Sequence, residues 1–417
     1  MRELIAFSSA CVACAAVAAP LVSGVTMTQA GDTVTIGYTL SGEPAVVTLD
    51  LQTKTADGEW ASIGGEHMTF VAGDANRQVD VGTHTITWKP RKAWPENVSA
   101  KDMKAVVSAW ALDATPDYMV VSLLVPNEIR YFTCAEAIPN GVSDDLYKTE
   151  LMVLRKIHAS NVCWRMGSPP TEKYRSAAEE PHLVTLTKDY YIGVYEVTQR
   201  QYELVLRYND SNAPNLRPAS FSLESDYATR PVDKVSYTMV RGTAAAGYDW
   251  PANGHDVLPS GFIGKLRALS GVSGFDLPTD AQWEFACRAG NGSTYYNGTD
   301  DELDSIGRYS SNGGQFNGAD AATVTADRGT AKVGSYAPNA WGLYDMLGNV
   351  WEWCLDWHQT SPLGFDPEAG PAEGTERIRR GGCWANGANS CRCATRESTD
   401  PTASWPQFGF RMAYTLD

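Results

Sequence analysis

The stretch RRGGCWANGANSCRCATRES, residues 379–398, places Cys383, Cys391 and Cys393 within eleven residues. Thiols at this density suit a soft-metal site, a redox centre, or small buried side chains with a disulfide stapling the loop. Structural zinc and iron–sulfur sites take four ligands and usually open with a C-x2–4-C pair. Cys391-x-Cys393 is tighter than that, which sets this chemistry aside. A second constellation lies in GLYDMLGNVWEW, residues 342–353, where Asp345 and Glu352 stand seven residues apart across a Gly-Asn turn. Carboxylates beside inward-turned carbonyls suit a hard cation, and Ca2+ takes six to eight such oxygens.

Other chemistries find no support. The six histidines (His67, His84, His158, His182, His255 and His358) are scattered, so an iron site of the two-His-one-carboxylate kind finds no local pattern. No serine-nucleophile elbow, phosphate-binding loop or dinucleotide fingerprint interrupts the chain.

The elements that must position these residues can be read in part. In YEVTQRQYELVLRY, Thr198 is an N-cap with Gln201 three residues on, and Val197 and Tyr202 form a hydrophobic staple. LPTDAQWEFACRAG repeats the device, with Thr279 as cap, Gln282 closing the box and Gly290 as the exit. Trp283, Ala286 and Cys287 then share one helical face, which makes Cys287 a core residue. Upstream, VTMTQAGDTVTIGYTLSG, AVVTLDLQT, HTITWKP, MKAVVSAWALD and YMVVSLLVP alternate at period two and are separated by Gly, Asp, Asn and Pro. That pattern predicts a β-sandwich of immunoglobulin or fibronectin type over 22–128, followed by a connecting segment over 129–160.

Length and composition bound the rest. At 417 residues, the chain predicts two or three domains, and 43% hydrophobic with 20% charged residues describes a globular protein. A net charge of −15 without a dense basic stripe argues against nucleic-acid binding. At the N-terminus, MRELIAFSSACVACAAVAAPLVS reads as a signal peptide over 1–19 with an Ala16-Val17-Ala18 cleavage site. The expected location is therefore periplasmic or extracellular. No later run is long and apolar enough to span a membrane.

Seven separated motifs together resemble the formylglycine-generating-enzyme, or sulfatase-modifying-factor, family. They are WRMGSP (164–169), YYIGVYEVTQRQY (190–202), PVDKVSY (231–237), LPTDAQWEFACRAG (277–290), VGSYAPNAWGLYDMLGNVWEWCLDW (333–357), RRGGCW (379–384) and FGFRM (408–412). The resemblance implies an α+β fold of C-type-lectin-like kind over 161–417, with little regular secondary structure. It also implies calcium bound by the side chains of Asp345 and Glu352 and the carbonyls of Gly348 and Val350, with a second calcium loop beginning at Asn312 and Gly313. Its characteristic reaction is copper- and oxygen-dependent oxidation of a cysteine to formylglycine in a polypeptide bearing Cys-x-Pro-x-Arg. The two Cu+ ligands fall four and nine residues beyond the Gly-Gly pair, here Asn386 and Cys391, and the family's active-site serine falls on Cys383. An amide cannot replace a thiolate toward Cu+. Two readings therefore stand: an oxidase of altered centre using Cys383, Asn386 and Cys391, or an exported binding or structural module addressing carbohydrate or surface proteins. Arg380, Arg392, Arg396 and Arg411 are expected to form internal ion pairs with Glu284, Glu352 or Glu397.

Overall fold

In a computed structural model of the chain, residues 18–96, 102–213, 216–299, 302–313, 329–359, 361 and 370–416 are described. Most of the expected signal segment thus lies outside the described residues. The chain divides into two compact units, Met1–Thr115 and Pro116–Asp417.

The first unit is all-β. One sheet runs Leu21–Ala30, Thr33–Ser41, Gly82–Trp88, Val71–Gly73. In the other, Ala45–Lys54 pairs with Trp60–Ser62, Arg77–Val79 and Met103–Trp110. Every pairing is antiparallel. Val34, Ile36, Tyr38 and Leu40 alternate inward from one sheet and meet Val47, Leu49 and Leu51 of the other in one core. This is the two-layer burial that period-two alternation requires.

The second unit begins earlier than the sequence reading placed it. Tyr118–Ser122, expected in the sandwich, is a strand of a six-stranded antiparallel sheet. So are Ile129–Phe132 and Leu151–Ile157, expected in a connecting segment. The physical reason is burial on both faces: Tyr118 and Val120 enter one core cluster, and Met119 and Val121 the other. A doubly buried strand loses its polar alternation and with it its signature. Tyr190–Gly193, Ala413–Thr415 and Phe275–Asp276 complete the sheet.

A second sheet of this unit carries both candidate sites. Its strand Trp351–Trp357 is buried along its whole length. It pairs antiparallel with Arg377–Arg380 and parallel with Phe408–Gly409. Both expected helices form, Gln199–Arg207 and Asp280–Arg288, each with a reciprocal capping box from Thr198 and Thr279. Each such cap is worth roughly 1 kcal/mol. Cys287 is buried on the core face as expected. A third helix, Phe262–Ser270, escaped the reading; its N-cap is Gly261, which makes no side-chain cap. Trp351 and Trp353 share one core cluster, as side chains two apart on a strand must.

Candidate functional site

The acidic loop turns on left-handed backbone at Asp345 (φ 54°), Gly348 (φ 82°) and Asn349 (φ 59°). Glycine is required at 348, because a Cβ there would overlap the backbone of Arg308. The loop brings three buried carboxylates, Glu196, Asp345 and Glu352, around one buried guanidinium, Arg411. Glu352 accepts a two-pronged pair from Arg411, at 2.7 Å to each oxygen, and a third hydrogen bond of 2.6 Å from the Trp283 indole N–H. Glu196 accepts from the Asn349 amide at 2.6 Å and the Val350 N–H at 3.1 Å. Asp345 accepts the Gly334 N–H at 2.6 Å through Oδ2, while its buried Oδ1 has no partner.

Electrostatics follow from that count. Burial, then the charges of Asp345 and Glu352, hold the Glu196 carboxyl well above the ordinary range. Burial pushes Asp345 up to about 6, against the Gly334 hydrogen bond and Arg411. Burial works against the Arg411 charge too, but Glu352 beside it overcomes that and raises it. The donor chemistry therefore fits a hard cation at Asp345, whose free oxygen points at nothing else. Among the described residues no three His, Cys, Asp or Glu side chains are grouped to hold a metal ion, so carbonyls would supply most of the shell. Both Glu352 oxygens already serve Arg411, so a cation would share this carboxylate with the guanidinium.

At the expected second calcium loop the oxygens of Asn312 and Gly313 already accept hydrogen bonds. Asn312 Oδ1 accepts the Tyr309 N–H at 2.8 Å, and the Asn312 carbonyl accepts from the Arg308 guanidinium. The Gly313 carbonyl accepts the Gly329 N–H at 2.8 Å. Most of the segment expected to supply the acidic half lies outside the described residues.

The cysteine loop is settled differently. Gly382 (φ 77°) lets the chain fold back so that a Cβ at 382 would stand 2.5 Å from Cys391 Sγ. Cys383 and Cys391 are both fully enclosed. Cys391 Sγ lies 4.0 Å from the Cys383 carbonyl, and the Cys383 thiol donates to Asn386 Oδ1 at 2.9 Å. The same Asn386 oxygen accepts the Trp351 indole N–H at 2.8 Å. Burial pushes the Cys383 thiol up to about 12, and burial with the Cys383 charge drives Cys391 upward too. Burial thus favours the thiol form of both sulfurs in the metal-free protein, and a bound soft metal would have to displace those protons. At the position of one expected Cu+ ligand, Asn386 offers an amide oxygen already shared between two donors, so the two-thiolate pair is incomplete there. All seven described cysteines are free, so the expected disulfide is absent from the described residues.

The arginines behave as internal partners. Arg380 meets Asp280 at 2.5 Å and Glu284 at 3.0 Å, and Arg396 meets Asp280 at 2.6 Å. Arg392 reaches Glu172 at 2.6 Å and Glu179 at 2.7 Å, partners more than 200 positions away. Sequence reading named Glu284 and Glu352 but missed Glu172, Glu179, Asp280 and Glu196, because nothing local marks an acid as the partner of a distant arginine.

Comparison with known proteins agrees with this architecture. Residues 160–416 match the family model described as the sulfatase-modifying factor enzyme 1-like domain. The chain is 40% identical over 154 residues to the formylglycine-generating enzyme of Streptomyces coelicolor, covering 35% of this chain and 48% of that one. It is 31% identical over 264 residues to the serine/threonine-protein kinase pkn1 of Chlamydia pneumoniae, covering 57% and 35%. It is 29% identical over 255 residues to the chaperone protein LppX of Paenibacillus barcinonensis, covering 55% and 81%. The chain thus spans about a third to a half of the length of the first two relatives. Among solved structures, PvdO from Pseudomonas aeruginosa aligns with a TM-score of 0.47 and 21% identity, over 63% of this chain and 94% of that one. Through residues 160–416, the chain belongs to the sulfatase-modifying factor enzyme 1-like family.

Proposed function

We propose that this chain is an exported binding module of the family and not a formylglycine-generating oxidase. The observation that carries this reading is the state of Asn386. It stands where the resemblance puts a copper-ligand thiolate, and its oxygen is consumed by Trp351 and Cys383. Both neighbouring thiols are enclosed, and burial raises the cost of ionising them. The reading is supported further by relatives named as a kinase and a chaperone beside the formylglycine-generating enzymes, as expected of a domain put to several uses. Export rests on the N-terminal sequence; among the described residues no helix is long and apolar enough to cross a membrane.

For the acidic loop we propose a structural calcium ion held by Asp345 with the carbonyls of Gly348 and Val350, Glu352 being shared with Arg411. Its support is the partnerless Asp345 oxygen beside an excess of carboxylates. The oxidase question is tested by incubating reduced protein, loaded with Cu+, with a peptide bearing Cys-x-Pro-x-Arg and recording peptide mass. The peptide is expected to emerge unchanged. Conversion of its cysteine to the aldehyde, abolished by Cys391→Ser, would refute the binding-module reading.

A further inference from the structure

A cleft of about 790 Å³ opens beside the cysteine loop, lined from three separate segments: 169–174, 292–295 and 388–392. No cysteine lines it. Its volume lies within the range of small-ligand sites, but its walls are unusually polar.

The cleft is held open by Arg392. This buried guanidinium spends all five N–H donors inside the protein: Nε on the Asn389 carbonyl at 2.8 Å, Nη1 on Glu172 and Glu179, and Nη2 on Glu179 and the Tyr174 carbonyl at 3.0 Å. Two walls are thereby tied to each other. The third is fastened by the Tyr295 hydroxyl on the Ala388 carbonyl at 3.2 Å and by the Cys393 N–H on the Thr294 carbonyl at 3.0 Å. Such cross-linking removes much of the ordering cost a ligand would otherwise bear.

The charges cancel between wall and rim. Arg392 offsets one of the two charges of Glu172 and Glu179, and Lys173 at the exposed rim offsets the other. What remains to meet a ligand is neutral: the hydroxyls of Thr171 and Ser293, the amide of Asn389 and the ring of Tyr174. The side chains of Thr171, Ser293 and Asn389 form no hydrogen bond with the protein among the described residues. Tyr174 is 69% exposed and is held in left-handed backbone (φ 64°), which a bulky residue rarely adopts. Its carbonyl is fixed by Arg392, so the ring is presented on an anchored backbone.

An aromatic face, a planar amide, free hydroxyls and near-zero charge are the complement of one ligand class. Sugar rings offer an apolar C–H face for the aromatic ring and paired hydroxyls for amides and hydroxyls, with no charge to balance. We infer that this cleft binds a neutral carbohydrate, with Tyr174 as platform and Asn389 and Ser293 as hydrogen-bonding partners. The inference rests on the binding-module reading above and supplies its ligand class.

The test is an array of neutral, sialylated and sulfated oligosaccharides probed with the full mature chain, followed by calorimetry with the best neutral binder. Neutral oligosaccharides should bind, and Tyr174→Ala should weaken binding at least about tenfold at unchanged melting temperature. Asn389→Ala, on a separate segment, should weaken it too and covers the case that Tyr174→Ala alters folding. Leu223→Ala, which removes a side chain 96% exposed outside the cleft lining, should change nothing. Absence of neutral binders, binding confined to sulfated or sialylated glycans, or affinity untouched by both cleft variants would each overturn the inference. None of those results would restore the oxidase reading, which fails or stands on peptide conversion alone.

Discussion

The acidic loop 345–352 and the cysteine loop 383–391 are two buried polar clusters of one domain, and they have been resolved in opposite ways. In the buried part of the cysteine loop the Asn386 oxygen serves two donors, and burial pushes both thiols upward. In the acidic loop, three carboxylates share one guanidinium, one oxygen has no partner, and two of the acids are pushed upward. Unsatisfied buried charge costs free energy that some partner must offset. The comparison sets a partnerless carboxylate oxygen in the acidic loop against an amide, Asn386, that is fully engaged by its neighbours at the position the resemblance gives to a copper ligand.

The largest effect expected is at Arg411. Arg411→Met removes the guanidinium paired with Glu352 and should cost about 3–5 kcal/mol, read as the midpoint shift in chemical denaturation. A loss under about 1 kcal/mol would mean that Glu352 does not depend on this pairing, weakening the contrast. Calcium comes next. At a free concentration 100 times its Kd, the ion should stabilise the fold by about 2.7 kcal/mol, seen as a fall in Tm when EGTA is added. Asp345→Asn should erase that EGTA response; an unaltered response would place the ion elsewhere.

A buried acid outside both clusters provides a control for the acidic loop. Asp233 is pushed up to about 7 by burial, opposed by the Ser220 N–H hydrogen bond, while its Oδ2 has no partner. Its folded value lies above the ordinary unfolded value near 3.9, so the folded state holds the proton between roughly pH 4 and pH 7. Stability from this group is therefore full below pH 4 and declines as pH rises through 7. Asp233→Asn should gain up to about 4 kcal/mol at pH 8 and nothing at pH 4, measured by denaturation at both values. Equal gains at the two pH values would show that charge is not the cause. The smallest effect belongs to the cysteine loop: Asn386→Ala orphans the Trp351 indole N–H and should cost about 1–2 kcal/mol at any pH.

Legibility in the sequence followed the range of the interactions. Both capping boxes, at Thr198 and Thr279, were readable because cap and partner stand three residues apart. The helix Phe262–Ser270 was not, since Gly261 supplies no capping side chain and Gly264 interrupts the pattern. Tyr118–Ser122 was assigned to the wrong unit because a strand buried on both faces reads the same wherever it pairs. Asp345 and Glu352 were found through the loop that holds them, whereas Glu196 lies 153 positions from its partner Asn349. The cleft was invisible for the same reason: three segments form it, and Arg392 joins two of them across 213 to 220 positions.

The central claim concerns the thiols, and the most direct measurement is a Cu+ competition titration of the reduced mature chain against a colorimetric chelator. The account predicts no stoichiometric copper uptake, with Cys383→Ser and Cys391→Ser titrating like the parent. Uptake of one equivalent that disappears in Cys391→Ser would contradict it and return the loop to redox chemistry.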